Sequence, residues 1–511
     1  DNTIRGTAVL DGDVILYNVS GDTASIYFAE SEFSSGDEDV SAITLSVSVT
    51  TTTVDHYSIS YPLGTPGVTC EAQTVRVTAH DSSDVDVAPG SSTTITLSTS
   101  PAADSWALKS GGGSFTGPNQ YTFDNSETDV DLYLTVATAT SAPHIDIDVT
   151  DGTATDNDGV SEDDNIEFSS AVFRFFDGGG TGESIETQIA GKESDIAPDE
   201  ETLQLRSVVT NTSTMACESR ILNTQTIEMA YKCNNPATCE TATRVQIDNI
   251  TDIASGNDNA GTVDETTGSF SDVDLDFGAT GTAIFSFDFN DAGQIQLYAR
   301  KTVAASAPDP AYTIFGTSNM FVVKPAGLCV ESTDTDSDCA SADGTCTKFR
   351  KAGSVDSENY FNLSVSGVTW ETSGEADSDF CTGSNVTTPN FLLGSIALGH
   401  TKIAPTGGNS GTLSVTSIDI STGGTETTSG QTISEVGVFT VTATPPSYLG
   451  ETISASTSAN IGRFYPDRFN VAVSNTPAFE ASCSGLFTYQ DQPFYYATAP
   501  ELEITARNSN G

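Results

Sequence analysis

Apolar and polar residues alternate along many short stretches of this chain. Between Val130 and Val136, valine and leucine occupy every second position, and Ile295 and Leu297 repeat the pattern. Successive side chains of a β-strand point to opposite faces of the sheet, so a period of two predicts antiparallel strands that bury one face. The spacing of about 3.6 residues that is typical of amphipathic helices is not sustained, which favours strands throughout.

Residues typical of turns cluster between these stretches, as in segments 111–114 and 177–180. Glycine, asparagine and aspartate supply the backbone conformations of tight turns, and their spacing here is typical of sandwiches. At about 150 residues per domain, a chain of 511 residues predicts three or four domains. The predicted fold class is all-β: tandem immunoglobulin-like antiparallel β-sandwiches in an elongated array.

Breaks in composition predict where the domains meet. A threonine run ends at Thr53, an acidic tract extends from Asp146 to Asp164, and Pro325 and Pro466 follow strand-like segments. Proline cannot donate to a sheet ladder and so favours a strand end. The predicted organisation is a partial N-terminal β segment at 1–54, a sandwich at 55–140, one sandwich or two with an acidic loop at 141–324, a sandwich with a cysteine-rich insertion at 325–463, and the truncated start of a further β domain at 464–511.

The chain is strongly acidic. It has 19 Lys and Arg residues against 70 Asp and Glu residues, for a formal net charge of −51. Such a surface repels phosphate backbones, so nucleic acid is a poor partner. The sequence has no apolar run of about 18 residues, the length from which a membrane helix is inferred, and it begins without a signal peptide. We therefore expect a piece of a longer, exported polypeptide.

The nine cysteines fall in local groups, which is typical of disulfide clips in an oxidising compartment and predicts an extracellular location. Neighbours could pair, Cys233 with Cys239 and Cys339 with Cys346, or the pairs could reach outward, Cys217 with Cys233 and Cys329 with Cys381. No pair has CxxC spacing and the four histidines are scattered, which argues against zinc. The disulfide candidates are Cys217, Cys233, Cys239, Cys329, Cys339, Cys346 and Cys381.

Calcium is the only cofactor that the sequence suggests. Carboxylate oxygens are the ligands that Ca²⁺ prefers, and clustered acids on a loop could supply them. Asp334, Asp336 and Asp338 form a smaller acidic group in the cysteine-rich insertion. An ordinary solvated acidic loop is the alternative, because neither run has the spacing of a helix-loop-helix calcium site. The candidate ligands in the acidic tract are Asp146, Asp148, Asp151, Asp156, Asp158 and Asp163.

Several separated blocks of sequence also resemble the MshQ family of MSHA pilus biogenesis proteins, over roughly residues 55 to 511 and in a region called a domain of unknown function. The blocks share their order with that family. They include Asp55-His56-Tyr57, Val75–Ala79, Ala171–Phe175, Phe285–Phe289, Phe321–Pro325, Lys351-Ala352-Gly353, Trp370-Glu371-Thr372, Pro389-Asn390-Phe391, Glu435–Phe439, Gly450–Ile453, Ile461–Phe469 and Gln492-Pro493-Phe494.

The resemblance implies a secreted component that acts with a type IV pilus of the mannose-sensitive haemagglutinin kind. Its partners would be pilus components, and the location would be the cell surface or the pilus. The chain departs from the family after Cys70, where His80 to Asp84 replaces further cysteines. This departure puts the pairing of Cys70 in doubt and makes it a candidate for the odd thiol.

Motifs of catalysis are missing from the sequence, including the GxSxG elbow, HExxH and Walker A patterns. We therefore predict that the protein is not an enzyme. The favoured function is a pilus-associated adhesin or stalk of stacked sandwiches whose receptor or glycan the sequence does not identify. One alternative is a filament subunit that self-associates by strand pairing between chains. The other is a secreted carbohydrate-binding or carbohydrate-active protein, which the scarcity of tryptophan (Trp106 and Trp370) disfavours.

Overall fold

The computed structural model describes residues 53–509 with internal gaps, and of 140–143 it describes the backbone. The gaps are 90–92, 103–104, 157–164, 178–183, 198–199, 212, 239–244, 254–261, 306–310, 342–344, 377–378, 481–489, 492 and 494. The predicted segment 1–54 therefore lies almost entirely outside the described residues. In the described part of the chain, none of the helices is long and apolar enough to span a membrane.

Two sheets form the first sandwich, in the strand orders β1-β3-β8-β5 and β2-β10-β9-β4-β7-β6. In the smaller sheet, β3 and β8 are antiparallel and pair Val75 with Leu132 and Val77 with Val130. All four side chains are buried, as their alternation with polar residues predicts. The strands are β1 His56–Ser60, β2 Gly67–Val68, β3 Gln73–His80, β4 Thr94–Ser100, β5 Ser105–Ser110, β6 Ser114–Gly117, β7 Gln120–Thr122, β8 Asp129–Thr135, β9 Thr140–Thr150 and β10 Ile166–Ser169.

The first sandwich extends beyond the boundary predicted at residue 140. Ile145 and Ile147 of β9 and Phe168 of β10 belong to the same hydrophobic core as Tyr57. The last strand of this sandwich therefore ends at Ser169, beyond the predicted boundary. The first part of the acidic tract is a strand of this sandwich whose apolar side chains face inward.

One continuous core, from Ala171 to Val323, makes the second sandwich a single unit and not two. Its larger sheet contains the path β12-β23-β21-β22-β11-β13-β14, with β15, β18 and β19 attached, and its smaller sheet is β17-β16-β20. The strands are β11 Ala171–Phe176, β12 Gln188–Ile189, β13 Leu203–Thr210, β14 Cys217–Glu218, β15 Thr224–Asn235, β16 Val245–Ile247, β17 Thr251–Ile253, β18 Ser271–Asp276, β19 Thr282–Phe285, β20 Phe287–Phe289, β21 Gly293–Val303, β22 Tyr312–Thr317 and β23 Phe321–Lys324.

The third sandwich packs the sheet β24-β25-β28 against β27-β26-β29-β30, and β31 also pairs with β29. Its core includes Leu328, Phe361 and Phe464. Two short 3₁₀ helices, Ser357–Asn359 and Asp379–Cys381, lie in its connections. The strands are β24 Gly327–Ser332, β25 Phe361–Val368, β26 Leu393–Ala404, β27 Ser417–Ile420, β28 Thr425–Gln431, β29 Gly437–Thr444, β30 Ser456–Thr457 and β31 Ile461–Phe464.

Two strand pairs follow the third sandwich. β32 (Arg468–Val473) pairs with β35 (Leu502–Arg507), and β33 (Ala478–Phe479) pairs with β34 (Tyr496–Thr498). Every residue of β32 is exposed, including apolar ones. With strands throughout and only 3₁₀ turns as helices in the described residues, the predicted all-β class is confirmed.

Candidate functional site

A buried arginine joins the first sandwich to the second. β11 has the sequence Ala-Val-Phe-Arg-Phe-Phe, and all six residues are buried. Alternation places Phe173 and Phe175 in the core of the second sandwich. Val172 and Arg174 therefore share the opposite face, where Val172 packs against Val68 of the first sandwich.

The Arg174 guanidinium donates to groups that belong to the first sandwich. Nη1 lies 2.8 Å from the Pro66 carbonyl oxygen and Nη2 lies 2.8 Å from Gln73 Oε1. Nε donates to Glu71 Oε1 at 3.3 Å, which completes an ion pair. Gln73 in turn donates to the Gly64 carbonyl. The charge is thus fully withdrawn from water and held by acceptors of the adjoining domain, the arrangement that a buried charge requires.

A disulfide crosses the same junction. Cys70 bonds to Cys217 of β14, with a Cα–Cα distance of 5.3 Å and a sequence separation of 147 positions. The doubt about Cys70 is thereby corrected: it is not the odd thiol. The pairing of Cys217 with Cys233 is excluded as well, because Cys217 has this other partner. The first two sandwiches are therefore linked covalently beside the Arg174 network.

The remaining cysteines of the described residues are also oxidised. Cys329 bonds to Cys381 and Cys339 bonds to Cys346, and Cys233 is disulfide-bonded too. Cys239 lies outside the described residues. Glu331 approaches the first of these pairs closely enough to suggest a metal cluster, but the two sulfurs are already committed to each other, so this group is a disulfide.

The second junction, between the second and third sandwiches, is likewise packed. Asp291 is fully buried and its Oδ1 accepts hydrogen bonds from the amides of Ala292 and Asn390. The Trp370 amide donates to the Ala190 carbonyl at 2.8 Å. Ala292 also lies in the core of the third sandwich. Residues of both domains thus share one interior at this junction.

A cleft of about 1200 Å³ opens beside the first junction and extends to Glu451 of the third sandwich. Six amide side chains contribute to its polar lining, and three lysines lie among five acidic residues. Burial raises the pKa of Glu167 in this cleft; repulsion from Glu265 raises it further and His144 opposes the rise. The amides are Asn165, Gln188, Asn234, Gln294, Gln296 and Asn319, the lysines Lys192, Lys232 and Lys324, and the aromatic residues Tyr61, Tyr298, Phe315 and Phe321.

The cleft contains a histidine, an acid and serines, so it bears on the prediction that the protein is not an enzyme. His144 Nε2 lies 3.9 Å from Glu167 Oε2. Ser60 and Ser184 also line the cleft, but Ser184 Oγ donates to the Pro62 carbonyl. A nucleophilic serine would need a hydrogen bond to the His144 imidazole. That the protein is not an enzyme stays a prediction.

The predicted calcium ligands are placed on a strand and the turn after it. Asp146 and Asp148 are on β9, and Asp148 accepts a hydrogen bond from Ser98. Asp151 accepts the amides of Thr153 and Ala154 and the Tyr57 hydroxyl. Buried Asp156 accepts the Val149 amide.

Protein donors therefore occupy oxygens of several predicted ligands. Among the described residues, no three oxygens of this acidic set lie within 4.8 Å of one another. Asp158 and Asp163 lie outside the described residues, so calcium binding at the tract stays a prediction.

The smaller acidic group is held by an arginine. Arg350 Nη1 lies 2.8 Å from Asp336 Oδ2, and Nη2 lies 3.5 Å from Asp334 Oδ1. Asp334 also accepts the Asn362 amide at 2.8 Å. The Arg350 guanidinium thus pairs with these two carboxylates, where the sequence suggested a calcium ion.

Sequence reasoning did not identify Arg174 or the cleft as functional features. One signal was present for Arg174: a single charged residue in the middle of an apolar run predicts a buried charge that must find its partner on another element. The cleft has no such signal, because its lining comes from all three sandwiches.

The comparisons with known proteins concern family and fold. Three models of one family match: "Domain of unknown function (DUF6701), first Ig-like domain" over residues 152–317, its second domain over 324–431 and its third domain over 435–511. Together they match more than two thirds of the chain. No curated protein sequence matches it.

The solved structures that match this chain share little sequence with it. The adhesin FdeC of Escherichia coli is 12% identical over 80% of this chain and 97% of its own, with a TM-score of 0.23. Invasin, a bacterial integrin-binding protein, is 12% identical over 89% and 77%, with a TM-score of 0.18. An alpha-2-macroglobulin of E. coli is 9% identical over 89% of this chain and only 29% of its own, with a TM-score of 0.19. We draw nothing about function from likenesses of this size.

Proposed function

We propose that this chain, which belongs to the DUF6701 family of Ig-like domains, is a stiff stalk or adhesin segment of an exported, pilus-associated surface protein. The observation that carries the proposal is the construction of its junctions. Arg174 and the Cys70–Cys217 disulfide lock the first junction, and buried Asp291 lies in the second. Domains joined in this way hold a distal binding region at a fixed distance and direction.

The loop between β1 and β2 of the first sandwich also packs against the second sandwich. Thr65 and Thr317 exchange hydrogen bonds: the Thr65 amide donates to Thr317 Oγ1 at 2.9 Å, and the Thr317 amide donates to the Thr65 carbonyl at 2.7 Å. Gly64 beside it has φ +69°, and a Cβ there would lie 1.7 Å from the Thr317 carbonyl oxygen. This loop is therefore fitted against the second sandwich and adds to the packing of the first junction.

Export is supported by the disulfides, since such bonds persist in oxidising compartments and are rare in the cytosol. The association with a pilus rests on the sequence resemblance to the MshQ family. Immunogold labelling of cells that produce the full-length protein tests this part. Label along the pili or at their bases is expected, and label restricted to the cytoplasm would refute it.

Stiffness is tested by negative-stain electron microscopy of the purified chain. We expect a narrow distribution of angles between neighbouring sandwiches. The comparison variant carries eight Gly and Ser residues inserted between Pro325 and Ala326, which separates β23 from β24. The insertion should broaden the distribution at the second junction and leave the first unchanged. A wild-type distribution as broad as that of the insertion variant would remove the basis for a stalk.

A second candidate function, carbohydrate binding, is favoured by the lining of the cleft. Planar amides such as Gln294 and Gln296 provide both donors and acceptors for sugar hydroxyls, and Tyr61 adds an aromatic surface. A glycan array with the wild type and a Gln294→Ala variant tests this function. Binding that the variant loses supports it, and the absence of binding by the wild type refutes it.

A further inference from the structure

The two-stranded ribbon of β32 and β35 presents apolar side chains to solvent on one face. The strands are antiparallel, and their register pairs Val471 with Ile504 and Val473 with Leu502. Residues directly opposite each other point to the same face of a sheet. The large side chains of this face, which we call the ribbon face, are 52–64% exposed: Phe469, Val471, Val473, Leu502 and Ile504.

The opposite face of the ribbon is polar and partly covered. Asn470 pairs with Thr505 on this face, and Arg507 lies two positions further along β35. Thr505 and Arg507 are half-buried, whereas Ile504 on the same strand is exposed. An antiparallel sheet with one solvated face normally buries its apolar side and exposes its polar side. The ribbon does the reverse, which indicates that its apolar side meets a partner.

The third sandwich holds the base of the ribbon. The Asn508 side-chain amide donates to the Ser434 carbonyl oxygen at 2.8 Å. The Ser509 backbone amide donates to the Ala352 carbonyl oxygen at 3.0 Å. The ribbon face therefore has a defined direction before any partner arrives, and this lowers the entropic cost of docking on it.

We infer that the ribbon face is the interface of a homodimer, in which a second copy of this chain packs its own ribbon face against it. A two-stranded ribbon is marginally stable in water unless another layer covers its apolar side. Exposed apolar patches of several hundred Å² mark sites of protein interaction. A second copy offers the same patch, so pairing about a two-fold axis covers both faces at once.

The area of the ribbon face is sufficient for such a dimer. Large apolar side chains have roughly 150–200 Å² of accessible surface when fully exposed, so five that are about 60% exposed offer about 500 Å². Two ribbon faces together bury about 1,000 Å², which is the lower limit for a specific interface. We therefore expect a reversible dimer of modest affinity.

Charge also favours this part of the chain as the meeting point of two copies. The net charge of −51 makes two copies repel each other over most of their surface. The charged residues of β32 and β35 are Arg468, Arg507 and Glu503, which gives the two strands a formal net charge of +1. Asp467, directly before β32, lies 3.4 Å from the Lys351 ammonium group. Two ribbons can therefore approach without concentrating negative charge.

A face-to-face dimer has a consequence that goes beyond the proposed stalk. Pairing of the ribbon faces is closed, because it leaves no copy of the face for a third chain. Pairing at open strand edges would instead continue into a filament. The dimer joins two chains beside their third sandwiches and doubles any binding site that each chain has, which raises avidity without a new contact to the ligand.

The test is sedimentation velocity of the full chain over a concentration series from about 1 to 200 μM, the range expected for an interface of this size. We expect a reversible equilibrium between monomer and dimer. Ile504→Lys and Phe469→Lys should each weaken dimerisation at least about tenfold, because each brings an unpaired charge into the interface. Asn470→Lys is the matched control: it adds the same charge to the opposite face and should change the affinity less than about threefold.

Hydrogen exchange provides a second readout. A face-to-face dimer leaves the outer edge amides of β32 and β35 open to exchange, whereas pairing at the edges would protect them. Thermal unfolding followed by circular dichroism verifies that the variants fold, which is expected because all three substituted side chains are exposed.

Three results would overturn the inference. A chain that stays monomeric over the whole series has another occupant on the ribbon face, or none. Growth into fibres with protected edge amides assigns the contact to the strand edges. Equal weakening by Asn470→Lys and Ile504→Lys removes the ribbon face from the interface. None of these results bears on the stalk function, which depends on the two junctions.

Discussion

Replacing Arg174 with methionine tests whether the first junction is a structural unit. Methionine keeps most of the side-chain volume and removes the charge and every donor. The Pro66 carbonyl, Gln73 Oε1 and the Glu71 carboxylate then lose a partner. We expect the first sandwich and the junction to be destabilised while each separate core remains intact.

The magnitude follows from burial. Arg174 is completely inaccessible to solvent, and breaking a buried ion pair by removing one partner costs about 3–5 kcal/mol. The Glu71 carboxylate left behind is 27% exposed and keeps contact with water, so the lower end of this range, about 3 kcal/mol, is expected. With a urea dependence of about 1–3 kcal/mol per molar, the unfolding midpoint should fall by roughly 1 M or more.

The matched control is Arg206→Met. Arg206 approaches the same Glu71 carboxylate, at 3.8 Å, but its side chain is 40% exposed. An exposed ion pair contributes about 1 kcal/mol or less. Urea unfolding followed by Trp106 fluorescence, in a Trp370→Phe background, reports on the first sandwich. Equal midpoints for the Arg174 variant and the wild type, or equal losses for the two arginine variants, would refute the role assigned to the buried guanidinium.

Three further predictions concern other regions. Burial and the Glu193 carboxylate raise the pKa of Asp288 from 3.8 to about 6. The contribution of Asp288 to the free energy of unfolding should therefore fall as pH rises from about 4 to 6. Relative to the wild type, Asp288→Asn should gain up to about 3 kcal/mol of stability at pH 8 and nothing at pH 3.5, as measured by thermal unfolding at both values. Cys70→Ser/Cys217→Ser opens a cross-link between residues 147 positions apart and should lower the free energy of unfolding under non-reducing conditions by about 2–5 kcal/mol; an unchanged denaturation midpoint would contradict this. Val471, 61% exposed on β32, should promote self-association that Val471→Lys reduces in analytical ultracentrifugation.

The sequence predicted the strands because their apolar alternation is a local property. β3 and β8 bury the residues that the period of two selects. The same alternation, read in the acidic tract, argues against ending the first sandwich at residue 140. In β9, Ile145, Ile147 and Val149 alternate with polar residues, including Asp146 and Asp148. The acidic tract therefore begins as a strand with one buried and one solvent-facing side, although its charge suggested a linker.

Long-range features could not be predicted, since they depend on register and on contacts between domains. His56 meets His80 only because β1 and β3 pair in one particular register. Cys70 finds Cys217 only because the second sandwich packs beside the first. The cleft and its amides arise from the same packing. Composition contains no record of such contacts.

Two physical causes could fix how far apart the sandwiches of this chain stand, and their dependence on salt distinguishes them. With a net charge of −51, mutual repulsion alone could extend a flexible array, but charges on exposed surfaces are screened over about 8 Å at physiological ionic strength and about 3 Å at 1 M. The contacts of Arg174 and Asp291 are buried and are screened much less. If the junctions hold the array, small-angle scattering should give the same maximum dimension at 0.05 M and 1 M sodium chloride; a marked contraction at high salt would show that repulsion, and not packing, keeps the domains apart.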